Sequence, residues 1–253
     1  MNDIQMALAL TTLAGLSTVI GGLISCFSKD LNYRYLSIGL GFAAGVMIYI
    51  AFVNLFFQAK NELGIVYANI FFLLGIVLVT LFDRFIPHFH IDGKADSQSS
   101  RLYRAGVMTT LGIALHNLPE GLTVAFASLQ DLKVGIPVAI AIAIHNIPEG
   151  FACSMPLYCG SGERTKAVFA SFVAGMTEPL GALIAILILY PFLTTYNLAA
   201  LMALVAGIMV FISFDELLPI ANRYGDEHSA NIGIALGIVM MIIALIALEW
   251  QFT

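Results

Sequence analysis

Two copies of one six-residue motif contain most of the side chains in this sequence that could do chemistry. HNLPEG occupies residues 116–121, HNIPEG occupies residues 145–150, and both copies lie inside long apolar runs. A further acid, Glu178, follows in the sequence TEP and is also surrounded by apolar residues. Polar and ionisable side chains are costly to bury unless they are paired or bind something, so these residues are candidates for function.

The spacing within each motif favours cation binding. Successive residues on an α-helix turn by about 100°, so the histidine, asparagine and glutamate share one face, with the glutamate between the other two. These residues are His116, Asn117 and Glu120 in the first copy and His145, Asn146 and Glu149 in the second. One glutamate could share a cation with the histidine and a neighbouring cation with the asparagine. Two such helices, face to face, would offer ligands for one or two divalent ions.

The types of these side chains narrow the choice of ion. Imidazole, carboxylate and amide groups without a thiolate suit zinc, iron(II), manganese and cobalt, whereas they fit copper(I) poorly, and the histidines argue against calcium and magnesium. The cysteines are Cys26, Cys153 and Cys159, and they form no CxxC pair. We therefore interpret them as apolar packing residues.

The composition identifies the elements that must position these side chains. Of the 253 residues, 60% are hydrophobic and only 11% are charged, against about a quarter in soluble domains, and the mean hydropathy is +0.93. A membrane crossing needs roughly 20 apolar residues, and the uncharged runs of this chain provide eight such stretches. The sequence therefore predicts an all-α integral membrane protein with eight transmembrane helices in a single polytopic domain, residues 1–253. Nothing in it suggests nucleic-acid binding.

The basic residues predict the orientation. If the N-terminus lies outside, nine of the eleven lysines and arginines fall on cytoplasmic connections, which puts both termini outside. The N-terminus has no basic region that would suggest a cleaved signal peptide, so the first span is expected to remain. A flexible cytoplasmic loop is predicted at about residues 88–103, and its histidines, His88 and His90, are weaker candidates for the path of an ion.

The motif pair also suggests internal symmetry. AFVNLFF near the end of span two resembles SFDELLP near the end of span seven. Spans one to three would then match spans six to eight, and span four would match span five, with partners starting on opposite sides. This arrangement is a 3+2+3 inverted repeat, in which secondary transporters place their site near the bilayer midplane.

On HNLPEG, HNIPEG and TEP the chain resembles the ZIP (Zrt-, Irt-like protein) metal transporters, and within them the bacterial ZupT type. The resemblance covers nearly the whole chain. It implies import of zinc and related divalent ions into the cytoplasm through a binuclear site, and a homodimer. By position, one ion would be bound by His116, Glu120, His145 and Glu149. The second would be bound by Asn117, Glu120, Asn146, Glu149 and Glu178.

The resemblance also suggests a path. Asn54 in span two corresponds to the entry side of the path, where the family often has an acid or a methionine, and this departure leaves the ion preference and the outer gate open. Asp215 and Glu216 are candidates for the exit. We expect transport of Zn2+, with Fe2+, Mn2+, Co2+ and Cd2+ as further candidates, across the plasma or inner membrane.

Two other functions remain open at this point. A histidine- and glutamate-bound zinc can activate water, so an intramembrane metal-dependent hydrolase is one alternative. Against it, HExxH is absent and the two motif copies are nearly symmetric, whereas a catalytic centre needs an open position and a distinct acid or base. The chain is therefore expected not to be an enzyme. A transporter of organic cations or of protons alone is the other alternative, and it predicts no metal in the purified protein.

Overall fold

The computed structural model describes residues 3–27, 33–85, 97–189, 192, 194–226 and 228–252. Regular structure in these ranges is helical, without a strand, which confirms the all-α class. The α-helices are α1 (Asp3–Cys26), α2 (Tyr33–Ile50), α3 (Phe57–Phe85), α4 (Gln98–Gln130), α5 (Leu132–Ser161), α6 (Arg164–Ile184), α7 (Thr195–Ile212), α8 (Leu218–Tyr224) and α9 (Ser229–Phe252). Three π-helical segments continue α2, α6 and α7, namely π1 (Ala51–Phe56), π2 (Ala185–Leu189) and π3 (Ser213–Leu217).

Six helical stretches within the described residues are long and apolar enough to cross a membrane. One of them runs for 49 residues from Tyr33 to Leu81 and is broken at Gly64, whose φ of 76° and ψ of 163° are not helical. At about 1.5 Å per residue, this stretch is more than twice as long as a hydrocarbon core of about 30 Å is thick. Helix α4 is not among the six because it is less apolar, since it contains Arg101, Arg104 and the first motif.

The connections next to the motif helices are short. Asp131 alone, in an extended conformation, separates α4 from α5, and Gly162, with a φ of 73°, ends α5. Helix α4 begins earlier than predicted, at Gln98, so residues 98–103 are helical and do not belong to the connection. The reason is a cap: the side chain of Ser97 accepts a hydrogen bond from the backbone N–H of Ser100. His88 and His90 lie outside the described residues.

The helices pack in two groups. Helices α1, α4, α5 and α6 contact one another and form what we call the inner bundle, while α2 packs along α9 and α3 packs along α7, forming the flanking pairs. Small residues permit this packing, as at Gly15, where a Cβ would lie 2.2 Å from the carbonyl oxygen of Gly175. Cys153 and Cys159 are buried in the hydrophobic core and Cys26 packs against it, as predicted for apolar residues.

Candidate metal site

The two motifs meet between α4 and α5, and each histidine contacts the glutamate of the other helix. His116 Nε2 lies 3.1 Å from Glu149 Oε1, and His145 Nε2 lies 3.3 Å from Glu120 Oε1. All four side chains are buried. The helical angles predicted that each glutamate would lie beside its own histidine, but they could not predict this exchange of partners, which depends on how the two helices cross.

The spacing of the ligand atoms suits a single cation. His116, Glu120 and Glu149 each offer one ligand atom, and these atoms all lie within 4.8 Å of one another. Several lone pairs in this cluster have no hydrogen-bond partner within the described part of the chain, including both carboxylate oxygens of Glu149. His116 and Glu149 are close but not aligned for a hydrogen bond. Buried acceptors without donors are costly, so a cation would supply what this cluster lacks.

The asparagines connect this cluster to α1 and α6. Asn117 Nδ2 donates to the carbonyl oxygen of Ala174 at 3.2 Å, and Asn146 Nδ2 donates to that of Ala14 at 2.9 Å. Asn146 Nδ2 also makes a short contact with Glu178 Oε1. The structure thus brings Glu178 to the second motif, although it comes from a third helix and is itself fully buried.

Asn54 lies beside a cavity that reaches the motif residues. The cavity has a volume of about 90 Å³ and is lined by Asn54, Gln58, Glu120 and His145, among others. Gln58 Nε2 donates a hydrogen bond to Asn54 Oδ1 at 2.9 Å, so the two side chains form one polar edge of this cavity. We call it the Asn54 cavity.

Asp215 and Glu216 line a second cavity, of about 310 Å³, which we call the Asp215 cavity. Its other charged residues are Arg101, Arg104 and Arg223. Both acids belong to π3, whereas Asn54 belongs to π1. A π-helical turn alters the direction of the side chains that follow it and is frequent at functional sites, which agrees with the presence of these residues at cavities.

Sequence reasoning missed two features of these cavities. The arginines served only to predict orientation, but three of them line the Asp215 cavity together with the acids. Met202 and Met241, from α7 and α9, line the Asn54 cavity, and no motif marks them. Their proximity depends on the packing of helices that are distant in sequence, so no local signal could have identified it.

An all-helical bundle with membrane-length helices and buried histidines and glutamates is typical of one class, the membrane transporters that move charged substrates past buried ionisable groups. A family model described as ZIP Zinc transporter matches residues 88–245. The chain is 41% identical to a zinc transporter ZupT of Clostridium perfringens, over 97% of each chain. It is 44% identical to a zinc transporter ZupT of Oceanobacillus iheyensis, with 98% of this chain and 100% of that one covered.

A zinc transporter ZupT of Akkermansia muciniphila is also 44% identical, over 97% of this chain and 98% of that one. The chain therefore belongs to the ZIP zinc transporter family, as its motifs predicted. Members of this family are transporters and not enzymes, so the hydrolase alternative is not favoured.

Proposed function

We propose that this protein imports zinc into the cytoplasm through a site built from the two motifs on α4 and α5 and Glu178 on α6. The observation that carries the proposal is the buried exchange of partners, in which His116 meets Glu149 and His145 meets Glu120. Among the described residues no other side chain donates to these two carboxylates and two imidazoles, so the site has a strong requirement for positive charge. The relatives' name, zinc transporter ZupT, supports zinc as the substrate.

The proposed site is binuclear. His116, Glu120, His145 and Glu149 bind the first ion, and this assignment is supported by the spacing of their ligand atoms. The second ion is bound by the set Asn117, Glu120, Asn146, Glu149 and Glu178. The contact between Asn146 and Glu178 supports it, as do the Oδ1 atoms of both asparagines, which have no hydrogen-bond partner in the described ranges.

We further propose eight crossings arranged as a 3+2+3 inverted repeat. Of the six apolar stretches, the broken one from Tyr33 to Leu81 would cross twice and the other five once each. With α4 as a further crossing, the total is eight. The repeat is supported by matched contacts: a Cβ on Gly45 would lie 2.3 Å from the carbonyl oxygen of Ile234, and one on Gly207 would lie 2.0 Å from that of Phe72. It is also supported by π1 and π3, which begin at the equivalent positions of AFVNLFF and SFDELLP.

The path proposed for the ion runs between the two cavities. The ion enters by the Asn54 cavity, loses water at the motif residues and leaves by the Asp215 cavity, past Asp215 and Glu216 and the loop histidines, His88 and His90. Inward movement is favoured by the membrane potential, at about 2.3 kcal/mol per charge per 100 mV. Both termini lie outside in this orientation, the protein resides in the plasma or inner membrane, and it forms a homodimer.

The test is uptake of radiolabelled zinc by proteoliposomes that contain the purified protein. Glu120→Gln and Glu149→Gln keep the size of the side chain but remove the charge, so we expect uptake to fall to the level of protein-free vesicles. Glu163→Gln is the matched control, because Glu163 lies outside the site, is exposed and pairs only with Lys166 at 2.6 Å among the described ion pairs. Wild-type uptake by the first two variants would overturn the proposal.

The ion preference needs a separate measurement. Nitrogen and oxygen ligands are shared by Zn2+, Fe2+, Mn2+, Co2+ and Cd2+ sites, and geometry often overrides the general affinity order. A competition series among these five ions against labelled zinc would rank them. Failure of every metal to compete, with no metal in the purified protein, would favour a transporter of organic cations or protons.

A further inference from the structure

In the proposed repeat, α1 corresponds to α6, and the contacts of the two helices match residue by residue. Ala14 and Ala174, 160 positions apart, each accept a hydrogen bond from the asparagine of one motif. Gly15 and Gly175 approach each other, since a Cβ on either would lie about 2 Å from the other's carbonyl oxygen, at 2.2 and 2.1 Å. The same offset therefore assigns a partner on α1 to every residue of α6 near the site.

The partner of Glu178 is Thr18. A Cβ on Gly121 would lie 1.9 Å from the carbonyl oxygen of Glu178, and a Cβ on Gly150 would lie 1.7 Å from that of Thr18. Gly121 and Gly150 are the last residues of the two motifs. Thr18 on α1 and Glu178 on α6 therefore occupy equivalent positions, each with its carbonyl against the last glycine of one motif. Because the side chain of Glu178 contacts the asparagine of the other motif, Asn146, the equivalent neighbour of Thr18 is Asn117.

The hydroxyl of Thr18 lacks the hydrogen bond that a buried threonine in a helix commonly makes. The residue is fully buried, and Oγ1 has no hydrogen-bond partner within the described chain. A buried threonine in a helix commonly donates to the carbonyl four residues earlier, as Thr11 does to Ala7 and Thr123 does to Pro119. For Thr18 that carbonyl belongs to Ala14, which accepts instead from Ser17 Oγ at 2.6 Å and from Asn146 Nδ2 at 2.9 Å.

The two motif asparagines, Asn117 and Asn146, differ in their hydrogen bonds. Asn146 Nδ2 has two acceptors, Ala14 O and Glu178, whereas Asn117 Nδ2 donates to Ala174 O. Asn117 Oδ1 has no hydrogen-bond partner among the described residues. Thr18 faces α6 beside the acceptor of Asn117, because its Cβ lies 3.1 Å from the position that a Cβ on Gly175, next to Ala174, would take. A threonine is shorter than a glutamate, so contact of its hydroxyl with an ion held by Asn117 would require a bridging water.

We propose that Thr18 is a further residue of the cation site, whose hydroxyl holds a water molecule of the ion's hydration shell on the Asn117 side. This inference rests on the proposed site and deepens it. The second ion then has a carboxylate, Glu178, on one side and a neutral hydroxyl with its water on the other. A water held in this way keeps the ion partly hydrated and preserves an exchangeable ligand position, which allows release.

The test compares three α1 variants in the zinc uptake assay. Thr18→Val keeps the shape but removes the hydroxyl, and we expect KM for zinc to rise about tenfold, the equivalent of one hydrogen bond to a charged group. Thr18→Ser restores a hydroxyl and is expected to return KM toward the wild-type value. Thr12→Val is the control, because its hydroxyl is already satisfied by the carbonyl oxygen of Leu8 at 2.6 Å.

The outcomes separate this inference from the proposed function. A wild-type KM in Thr18→Val, while Glu120→Gln is inactive, overturns the role of Thr18 and leaves the site intact. Uptake by Glu120→Gln at the wild-type rate overturns the site itself. If Thr18→Val does not fold, Thr18→Ser and Thr18→Ala are compared instead, and equal KM values in these two folded variants contradict the inference.

Discussion

Asn117 and Asn146 occupy the same position in two copies of one motif, yet their neighbours differ. Both are fully buried and both donate to a backbone carbonyl of a neighbouring helix. Asn146 also contacts Glu178, which has no other donor within the described residues. A single amide therefore stabilises an acid that comes from a third helix, and the sequence motif, identical at this point, does not reveal the difference.

This difference predicts unequal effects on stability. Asn146→Ala removes the described donor of Glu178, whereas the carbonyl oxygens of Ala14 and Ala174 keep a hydroxyl donor after either substitution, from Ser17 and Thr177 respectively, each at 2.6 Å. A buried acceptor without a donor costs about 1–3 kcal/mol, and more when it is charged. We therefore expect the free energy of unfolding of Asn146→Ala to be lower than that of Asn117→Ala by about this amount. Thermal unfolding of both variants in detergent with a chelator present measures it, and equal Tm values would contradict the assignment.

Among the elements, the close crossing of α1 and α6 determines how near the third acid comes to the motifs. The crossing depends on Gly15 and Gly175, whose backbones approach without a side chain between them. Glu178 follows Gly175 by one helical turn, so the position of its carboxylate depends on this contact. The interface of two helices, and not a local sequence feature, therefore completes the site.

Gly15→Ala is predicted to be more destabilising than Gly112→Ala. The added Cβ at Gly15 would lie 2.2 Å from a backbone oxygen, which cannot move without separating α1 from α6. At Gly112 the nearest atom is Cδ1 of Ile212, at 2.5 Å, the end of a flexible side chain that can rotate. Overpacking costs about 1–3 kcal/mol, and we expect the larger part of that range at Gly15.

Circular dichroism during heating compares the two glycine variants. Both changes replace a helical glycine by alanine, so the gain in helix propensity is the same and cancels. A Tm for Gly112→Ala as low as that for Gly15→Ala would mean that the α1–α6 crossing is not the constraint we infer.

Most of the described residues belong to the inner bundle, which contains the proposed site, or to the flanking pairs. Both cavities lie between residues of the inner bundle and residues on or next to the flanking helices. Residues of π1 and π3, which continue the flanking helices α2 and α7, line the cavities, while α4, α5 and α6 carry the proposed ligands. This division suggests that rocking of one group against the other opens each cavity to the site in turn.

A disulfide between the two groups tests this movement. A Cβ on Gly112 would lie 3.0 Å from Cγ1 of Ile212, which puts the two Cβ atoms near the roughly 3.5–4.5 Å that a disulfide needs. In a background without the native cysteines, we expect Gly112→Cys with Ile212→Cys to transport zinc when reduced and to lose uptake when oxidised. Each single variant under oxidant is the control. Full uptake by the oxidised double variant would contradict rocking.

Much of this protein could be predicted from the sequence because the responsible physics is local. Helical period, the length needed to cross a bilayer and the cost of burying charge are properties of short segments. They indicated the all-α class, the shared face of His116, Asn117 and Glu120, and the importance of Glu178. The family followed from the same motifs and was confirmed. The predicted end of the cytoplasmic loop, at about residue 103, was less accurate, because α4 is capped by Ser97 and begins at Gln98.

Only the tertiary structure decided which of these groups meet. It paired His116 with Glu149 and His145 with Glu120, brought Asn146 to Glu178, and buried Thr18 at the position on α1 that matches that acid on α6. These contacts join helices that are far apart in the chain, and their geometry depends on backbone approaches such as that of Gly15 to Gly175. The ligand types were determined by the sequence, whereas their arrangement follows from how closely the helices can pack.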